Sequence, residues 1–230
     1  MRVSAAACAA SPSHILLAAR THVHELRRGA TAPRAIALPG VHEVAAGLRR
    51  SWAACPAGVY TWTDRAPEPQ LVWRGAAHIA AGLEHAVLLA HGAVWTAGLN
   101  TDGQLGRPAR ALEPAFGRVA LGGGSAAPAA VRAGGDTSLA LGRDGGVWVW
   151  GNAEYGQLAA GDRICAPQRA LAPDTLGPIV DAAVGGSFIV LLNGTCSSGG
   201  RGWRRDQQMH GDDDTRRAAH RAQHAWRRPP

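Results

Sequence analysis

His85 stands three residues after Gly82 and directly ahead of the apolar run Ala86–Leu89, where an imidazole could serve as a general base if partners converged on it. His22 and His24 lie two apart, so on a strand both rings face one way and could approach a metal ion. No third ligand accompanies them at metal spacing, and coincidence explains the pair better. Gly122-Gly123-Gly124-Ser125 has the look of a phosphate loop without its lysine or its full glycine spacing. Flanked by Ala126-Ala127-Pro128, it reads as a flexible connection. Asp212-Asp213-Asp214 carries enough charge for a divalent cation, but three adjacent carboxylates on a disordered chain are not a preorganised site. The cysteines at positions 8, 55, 165 and 196 are scattered with no Cys-x-x-Cys, which reads as four reduced thiols. None of these sets assembles an active site. The expectation is a non-catalytic chain with no cofactor and no metal.

Composition explains why such fragments arise. The chain has 230 residues, 24 of them basic and all of those arginine, beside 47 alanines and 30 glycines. Arginine without lysine in this background is a signature of GC-rich coding more than of selection for basicity. The formal net charge is +7, yet residues 196–230 alone contribute +4 through eight arginines and four aspartates. The charge therefore clusters in a tail whose hydrophobic periodicity has ended, which reads as disorder. That leaves no basic ordered face as a signal for nucleic acid. No run of 18 apolar residues occurs, so no spanning helix is expected.

An internal repeat organises the rest. Ala81-Gly82-Leu83-Glu84-His85 leads through Ala86–Leu89 and a loop at Gly92 to Val94-Trp95-Thr96-Ala97-Gly98. Ala133-Gly134-Gly135-Asp136-Thr137 leads through Ser138–Leu141 and Arg143-Asp144-Gly145-Gly146 to Val147-Trp148-Val149-Trp150-Gly151. Gly103-Gln104-Leu105 and Gly156-Gln157-Leu158 each begin five residues after Gly98 and Gly151. A weaker copy runs from Gly47 to Thr63, and a further start stands at Gly185. The period is 52 from Gly82 to Gly134 and 51 from Gly134 to Gly185, but only 35 from Gly47 to Gly82, as if the first unit were one hairpin short.

Each unit reads as short strands joined through glycine. Asp144-Gly145 is the strongest turn signal, because it tolerates the left-handed conformations of a tight hairpin. Gly82 and Gly134 would allow close backbone approach or positive φ where the chain enters its first inner strand. The apolar, non-alternating run 147–150 fits a strand covered on both faces. Trp52, Trp62, Trp95, Trp148 and Trp150 recur at strand positions and read as packing between units, with Trp73 the exception in a loosely patterned connection. The Gly-Gln-Leu segments would begin a peripheral turn or strand. No unit buries enough surface alone, so the copies must stack, and radial stacking of such sheets is a β-propeller.

These residues resemble the regulator of chromosome condensation repeat family. The resemblance rests on Gly82, His85, Trp95, Gly98, Gly103, Gln104, Gly134, Trp150, Gly151, Gly156, Gln157 and Gly185, which it implies are structural repeat positions. It also implies that the His85 ring bonds a neighbouring loop and locks blade to blade. Thr137 and Arg50 replace that histidine in the other units, and Trp62-Thr63 replaces Trp-Gly. The stretch 150–159 is similar to the mitochondrial branch of the family, and an Arg-bearing, acid-poor leader suits that address; cytoplasmic and nuclear addresses stay open.

The expected fold is thus all-β: a partial propeller of about three blades of antiparallel strands. Residues 1–30 would be an extension with targeting character, in which His14–Leu26 is a strand or a turn or two of helix. Residues 31–195 would hold the repeats, with units near 41–78, 79–131 and 132–179 and a fourth beginning at 180–195. Residues 196–230 would be the disordered tail. The family implies a protein-binding scaffold related to guanine-nucleotide exchange on a small GTPase, or association with mitochondrial RNA or ribosome assembly. An inactive fragment is the third reading.

Overall fold

The computed structural model describes residues 7–122, 127–154, 163–171 and 177–194. These residues form antiparallel sheets, without a helix among them. Sheet 1 is β1 (Ala7–Ala10), β2 (His14–Ala18), β3 (His22–Arg27) and β4 (Arg34–Ala37). Sheet 2 is β5 (Glu43–Ala46), β6 (Arg50–Cys55), β7 (Gly58–Thr63) and β8 (Gln70–Arg74). Sheet 3 is β9 (His78–Ala81), β10 (His85–Ala90), β11 (Ala93–Leu99) and β12 (Leu112–Val119). Sheet 4 is β13 (Pro128–Gly134), β14 (Thr137–Gly142), β15 (Val147–Asn152) and β16 (Arg163–Leu171). Sheet 5 is the hairpin β17 (Ile179–Val184) and β18 (Ile189–Asn193).

Three expectations change. The segment expected as an extension folds from residue 7 as sheet 1, so His14–Leu26 is most of two strands and the described residues hold four four-stranded sheets and a hairpin rather than about three blades. Sheet 2 lacks no hairpin. Its short period comes from shorter pieces throughout: the loop 64–69 has six residues where 100–111 has twelve, β8 has five where β12 has eight, and the connection 75–77 has three where 120–127 has eight. The unit expected to run to 131 ends as a sheet at Val119, and Pro128–Val131 already belongs to the first strand of the next sheet. The tail lies outside the described residues.

The inner strands account for the stacking. β10 and β14 are buried at every position, because a neighbouring sheet covers each face. β2 alternates buried and exposed, because a neighbour covers one face only. One apolar cluster joins sheets 1 and 2 around Leu16, Val23 and Trp62. A second joins sheets 2 and 3 around Trp52, Ile79 and Leu88, with Trp73 packed 5.1 Å from Trp95 and 6.1 Å from Phe116 between ring centres. A third joins sheets 3, 4 and 5 around Leu139, Trp148, Trp150 and Ile179. Trp73, expected to stand apart, is therefore a packing residue too. Each large side chain sealed in these joints contributes roughly 1.5–3 kcal/mol.

Antiparallel order sends the connections to two ends. The turns between second and third strands are short: Ala19–Thr21, Pro56-Ala57, His91-Gly92 and Arg143–Gly146. The opposite end collects the connections 28–33, 64–69 and 100–111, together with the inner loops at 11–13, 47–49, 82–84 and 135–136. That loop end is tied across sheets by backbone bonds: Leu48 N–H donates to Leu83 O at 2.7 Å, and Leu83 N–H to Gly135 O at 2.8 Å.

Candidate functional site

His85 is buried, and its ring folds over Gly82, where any Cβ would collide with it. Its Nε2 lies 2.8 Å from Ser138 Oγ in sheet 4. Ser138 Oγ–H donates to Gln104 O at 2.9 Å, so the single hydroxyl proton is committed and His85 must be the donor to Ser138 from Nε2. Its Nδ1, the unprotonated acceptor of the ring, is buried without a partner. Burial pulls the pKa down to about 4, which keeps the ring uncharged at neutral pH. A sealed, neutral imidazole with no access to solvent cannot serve as a base. It is a rivet.

The same acceptor, Gln104 O, takes the Trp150 indole N–H at 2.9 Å. Gln104 belongs to the turn after β11, which wedges between sheets 3 and 4 instead of sitting at the periphery, with Gln104 and Leu105 fully buried. Its side chain is used as well: Oε1 accepts the Asp102 N–H at 2.8 Å and Nε2 donates to Asp136 Oδ1 at 3.2 Å. Burial first, then the charge of Asp102, pushes the Asp136 carboxyl above its ordinary range, while the Gln104 bond pulls the other way. Gly103 and Gly106, both at positive φ, bring this turn against Cys165 and the Trp150 ring. Gly98 and Gly151 hold a repeated position at φ +113° and +107°, where the carbonyls of Glu84 and Asp136 press on the space a Cβ would need.

Joint 1/2 repeats this chemistry with different donors. His14 is buried, and its Nε2 lies 2.8 Å from Ser51 Oγ in sheet 2. Ser51 Oγ–H donates to Glu25 Oε1 at 2.8 Å, and the Trp62 indole N–H reaches the same oxygen at 3.1 Å. Arg27 closes the set with an N–H donated to that oxygen at 2.8 Å. Sheet 1 has no Gly-Gln-Leu turn, so the carboxylate of β3 supplies the acceptor that the Gln104 carbonyl supplies in joint 3/4. Ser51 pairs with Trp62 in register and Ser138 with Trp150, which fixes each hydroxyl beside its indole. His14 escapes a search for Gly-x-x-His because Ser11 stands at the glycine position. The backbone bond Ser11 N–H to His14 O nevertheless matches Gly82 N–H to His85 O, at 2.9 and 3.0 Å.

Joint 2/3 has none of this. Arg50 holds the histidine position, exposed and with its guanidinium 5.7 Å over the Trp52 ring, and Ala86 and Ala97 hold the serine and tryptophan positions. Polar contact comes instead from Glu43, which accepts the Ile79 N–H at 2.8 Å. In joint 4/5, Thr137 bonds back to Asn152 O of its own sheet, while Arg132 donates to Ala182 O and pairs with Asp181 at 2.7 Å. Gly134 lies against the Val184 carbonyl, Gly185 carries the ring of Phe188, and neither is at positive φ. Trp95, half-buried, donates to Ala90 O at 3.4 Å. Gly156 and Gln157 lie outside the described residues.

The remaining candidates stay apart. His22 and His24 share one side of β3 with ring centres 6.4 Å apart, and no group of three metal-binding side chains forms among the described residues. Gly122 O accepts the Trp148 indole N–H at 2.8 Å; residues 123–126, like Asp212–Asp214, lie outside the described residues. Cys8 and Cys165 are exposed and Cys55 is buried, all three as free thiols. No helix among the described residues is long and apolar enough to cross a membrane.

Two models of the regulator of chromosome condensation (RCC1) repeat match the chain, one over residues 144–192 and one over residues 129–157. Residues 129–192 carry RCC1 repeats. It is 34% identical over 122 residues to the human RCC1-like G exchanging factor-like protein, covering 50% of this chain and 26% of that one. The mouse protein of the same description matches equally, at 34% over 121 residues. The chain thus spans about a quarter of the length of the curated relatives it matches. Its fold is similar to human WBSCR16, with a TM-score of 0.74 and 22% identity over 84% of this chain and 61% of that one. It is also similar to Prp20p of Saccharomyces cerevisiae, a protein described with binding to Gsp1p and histones, at a TM-score of 0.70 and 17% identity over 97% and 60%. At these identities the solved structures speak for the propeller fold.

Proposed function

We propose that this RCC1-repeat arc is a non-catalytic protein-binding scaffold whose partner is a small GTPase, engaged through the loop end and acting on nucleotide exchange. The observation that carries this reading is the 34% identity over 122 residues to G exchanging factor-like proteins. Two structural features support it. The histidines that look reactive are sealed into joints, so the chain offers a surface rather than a reaction centre. The exposed connections 28–33 and 64–69 stand on rigid sheets at the same end as the inner loops, where loop residues can recognise a partner. That end exposes Arg28, Arg49, Arg50, Arg65 and Arg110 beside Asp64, Glu68 and Glu84, a net positive surface suited to an acidic partner face.

Exchange on such a scaffold needs no side-chain chemistry. A surface that binds the nucleotide-free GTPase more tightly than the loaded form lowers nucleotide affinity by the same factor. The test is release of a fluorescent guanine nucleotide from a panel of purified small GTPases, with the full chain added. At least about tenfold faster release from one member, equivalent to about 1.4 kcal/mol of coupling, is expected. No binding and no acceleration across the panel overturns the reading. Steeply salt-dependent binding to RNA in its place would favour an RNA-associated role.

A further inference from the structure

The connection 28–33 leaves β3 through a turn in which Ala30 N–H donates to Arg27 O at 3.0 Å and Gly29 holds φ +84°. The β3–β4 ladder begins at Glu25–Arg34, so residues 31–33 lie outside it. Pro33 disfavours helical backbone at Ala32. Thr31 and Arg28 are both exposed, and neither side chain bonds another described residue. By contrast Ser51, Thr61, Thr96, Thr137 and Ser138 are buried with their hydroxyls bonded.

Arg28 stands three residues before Thr31. Of the 24 arginines in the chain, Arg28 alone has a serine or threonine three residues further on. A guanidinium at that distance ahead of a hydroxyl is the charge pattern that the acidic substrate groove of an arginine-directed protein kinase reads. Arg27 is held by Glu25 at 2.8 Å, which leaves Arg28 as the cation free to be read. On the other side of Thr31, Arg34 donates to Glu68 of the loop 64–69 at 3.1 Å, an ion pair that joins sheet 1 to sheet 2. The Glu68 side chain is 87% exposed, so solvent screens the pair and it holds that loop weakly.

We propose that Thr31 is a phosphorylation site for an arginine-directed Ser/Thr kinase, and that the phosphothreonine draws Arg34 off Glu68 and cancels the positive excess of the loop end. In the transfer, Thr31 Oγ1 attacks the γ-phosphorus of ATP. The bond from that phosphorus to the β,γ-bridging oxygen breaks, ADP leaves, and the hydroxyl proton passes to the catalytic aspartate of the kinase. The phosphate brings about two negative charges and three acceptor oxygens, placed three residues from Arg28 and three from Arg34. Among the exposed groups of the loop end named above, arginines outnumber carboxylates by two, so one phosphate removes the excess. An acidic partner face then loses its attraction. That last consequence rests on the GTPase reading, whereas the site and the release of Arg34 do not.

The full chain is incubated with Mg-ATP and a panel of purified Ser/Thr kinases that select arginine at this position, then mapped by peptide mass spectrometry. One phosphate on Thr31 is expected, absent in T31V and transferred at least about tenfold more slowly to R28A. Both substitutions fall on exposed side chains, and thermal unfolding confirms that the fold is kept. No transfer by any kinase, transfer elsewhere, or equal rates for wild type and R28A overturns the site. Amide hydrogen exchange in 64–69 is expected to quicken in the phosphorylated chain, and unchanged exchange overturns the release of Arg34. In the nucleotide-release assay at low salt, the phosphorylated chain is expected to act at least about tenfold more weakly, and equal action overturns the charge switch. If the unmodified chain acts on no GTPase, the partner reading fails by itself, while the mapped phosphate and the exchange of 64–69 still decide the site and the release.

Discussion

Glu25 Oε1 receives the indole N–H of Trp62 at 3.1 Å, in the seat that Gln104 O fills for Trp150 at 2.9 Å. A side-chain carboxylate on a strand and a main-chain carbonyl on a turn thereby do one job in two joints. The difference lies in charge. Glu25 keeps Arg27 beside it and brings two hydroxyl and indole donors to one oxygen, so joint 1/2 depends on an ion where joint 3/4 depends on a dipole.

Removing that ion strands its donors. Glu25→Leu leaves Ser51 and Trp62 with buried, unsatisfied groups, and the expected loss is about 3 kcal/mol in urea unfolding. Glu25→Gln keeps an acceptor oxygen and is expected to lose less, about 1–2 kcal/mol. Equal losses for the two variants would refute the acceptor role.

His85 makes joint 3/4 sensitive to acid. Its folded pKa of about 4 lies below the ordinary histidine value of 6.5, so protons bind more readily to the unfolded chain. Its contribution is complete above pH 6.5 and drains away as pH falls toward 4, by roughly 3 kcal/mol at the lower end. Unfolding midpoints of wild type and His85→Leu, measured from pH 7 to pH 4.5, are expected to converge as pH falls. Parallel curves would contradict it.

Gly151 cannot be replaced cheaply. At φ +107° with the Asp136 carbonyl in the way, Gly151→Ala is expected to destabilise by about 3 kcal/mol or more, well beyond the usual cost of alanine at a positive φ. Gly29, at φ +84° with open space around it, is the control, and Gly29→Ala should cost about 1 kcal/mol. The ratio of the two losses by thermal or urea unfolding is the measurement.

Arg49 and Arg50 sit exposed on the loop end between sheets 1 and 3. Replacing both by glutamate is expected to weaken capture of a GTPase about tenfold or more at low salt, with little change in stability. Surface plasmon resonance at two ionic strengths reads this. An unchanged affinity would move the binding face elsewhere.

Sheets 3 and 4 were the most legible in the sequence, because their glycines do conformational work that no other residue can do and so fall at regular intervals. Asp144-Gly145 announced its hairpin, and the run 147–150 announced a strand covered on both sides. Sheet 1 was hidden because Ser11 makes the same backbone bond to His14 that a glycine makes elsewhere; hydrogen bonding, not φ, sets that position. Its β2 also alternates, as a strand at the end of a stack must, and a short alternating run next to alanines resembles many things. Sheet 2 looked truncated because spacing measures loops as well as strands. Glu25 was out of reach of any pattern: its partners are 26 and 37 residues away, and only the stacking of sheets brings them together.

Imidazole over hydroxyl occurs between sheets 1 and 2 and again between 3 and 4, while Arg50 faces Ala86 in between. The arc therefore has a two-sheet grain laid over a one-sheet repeat. Removing sheet 2, or repeating sheet 3 alone, would set an imidazole against a methyl group, whereas removing or repeating sheets 3 and 4 as a pair leaves each remaining ring above its serine.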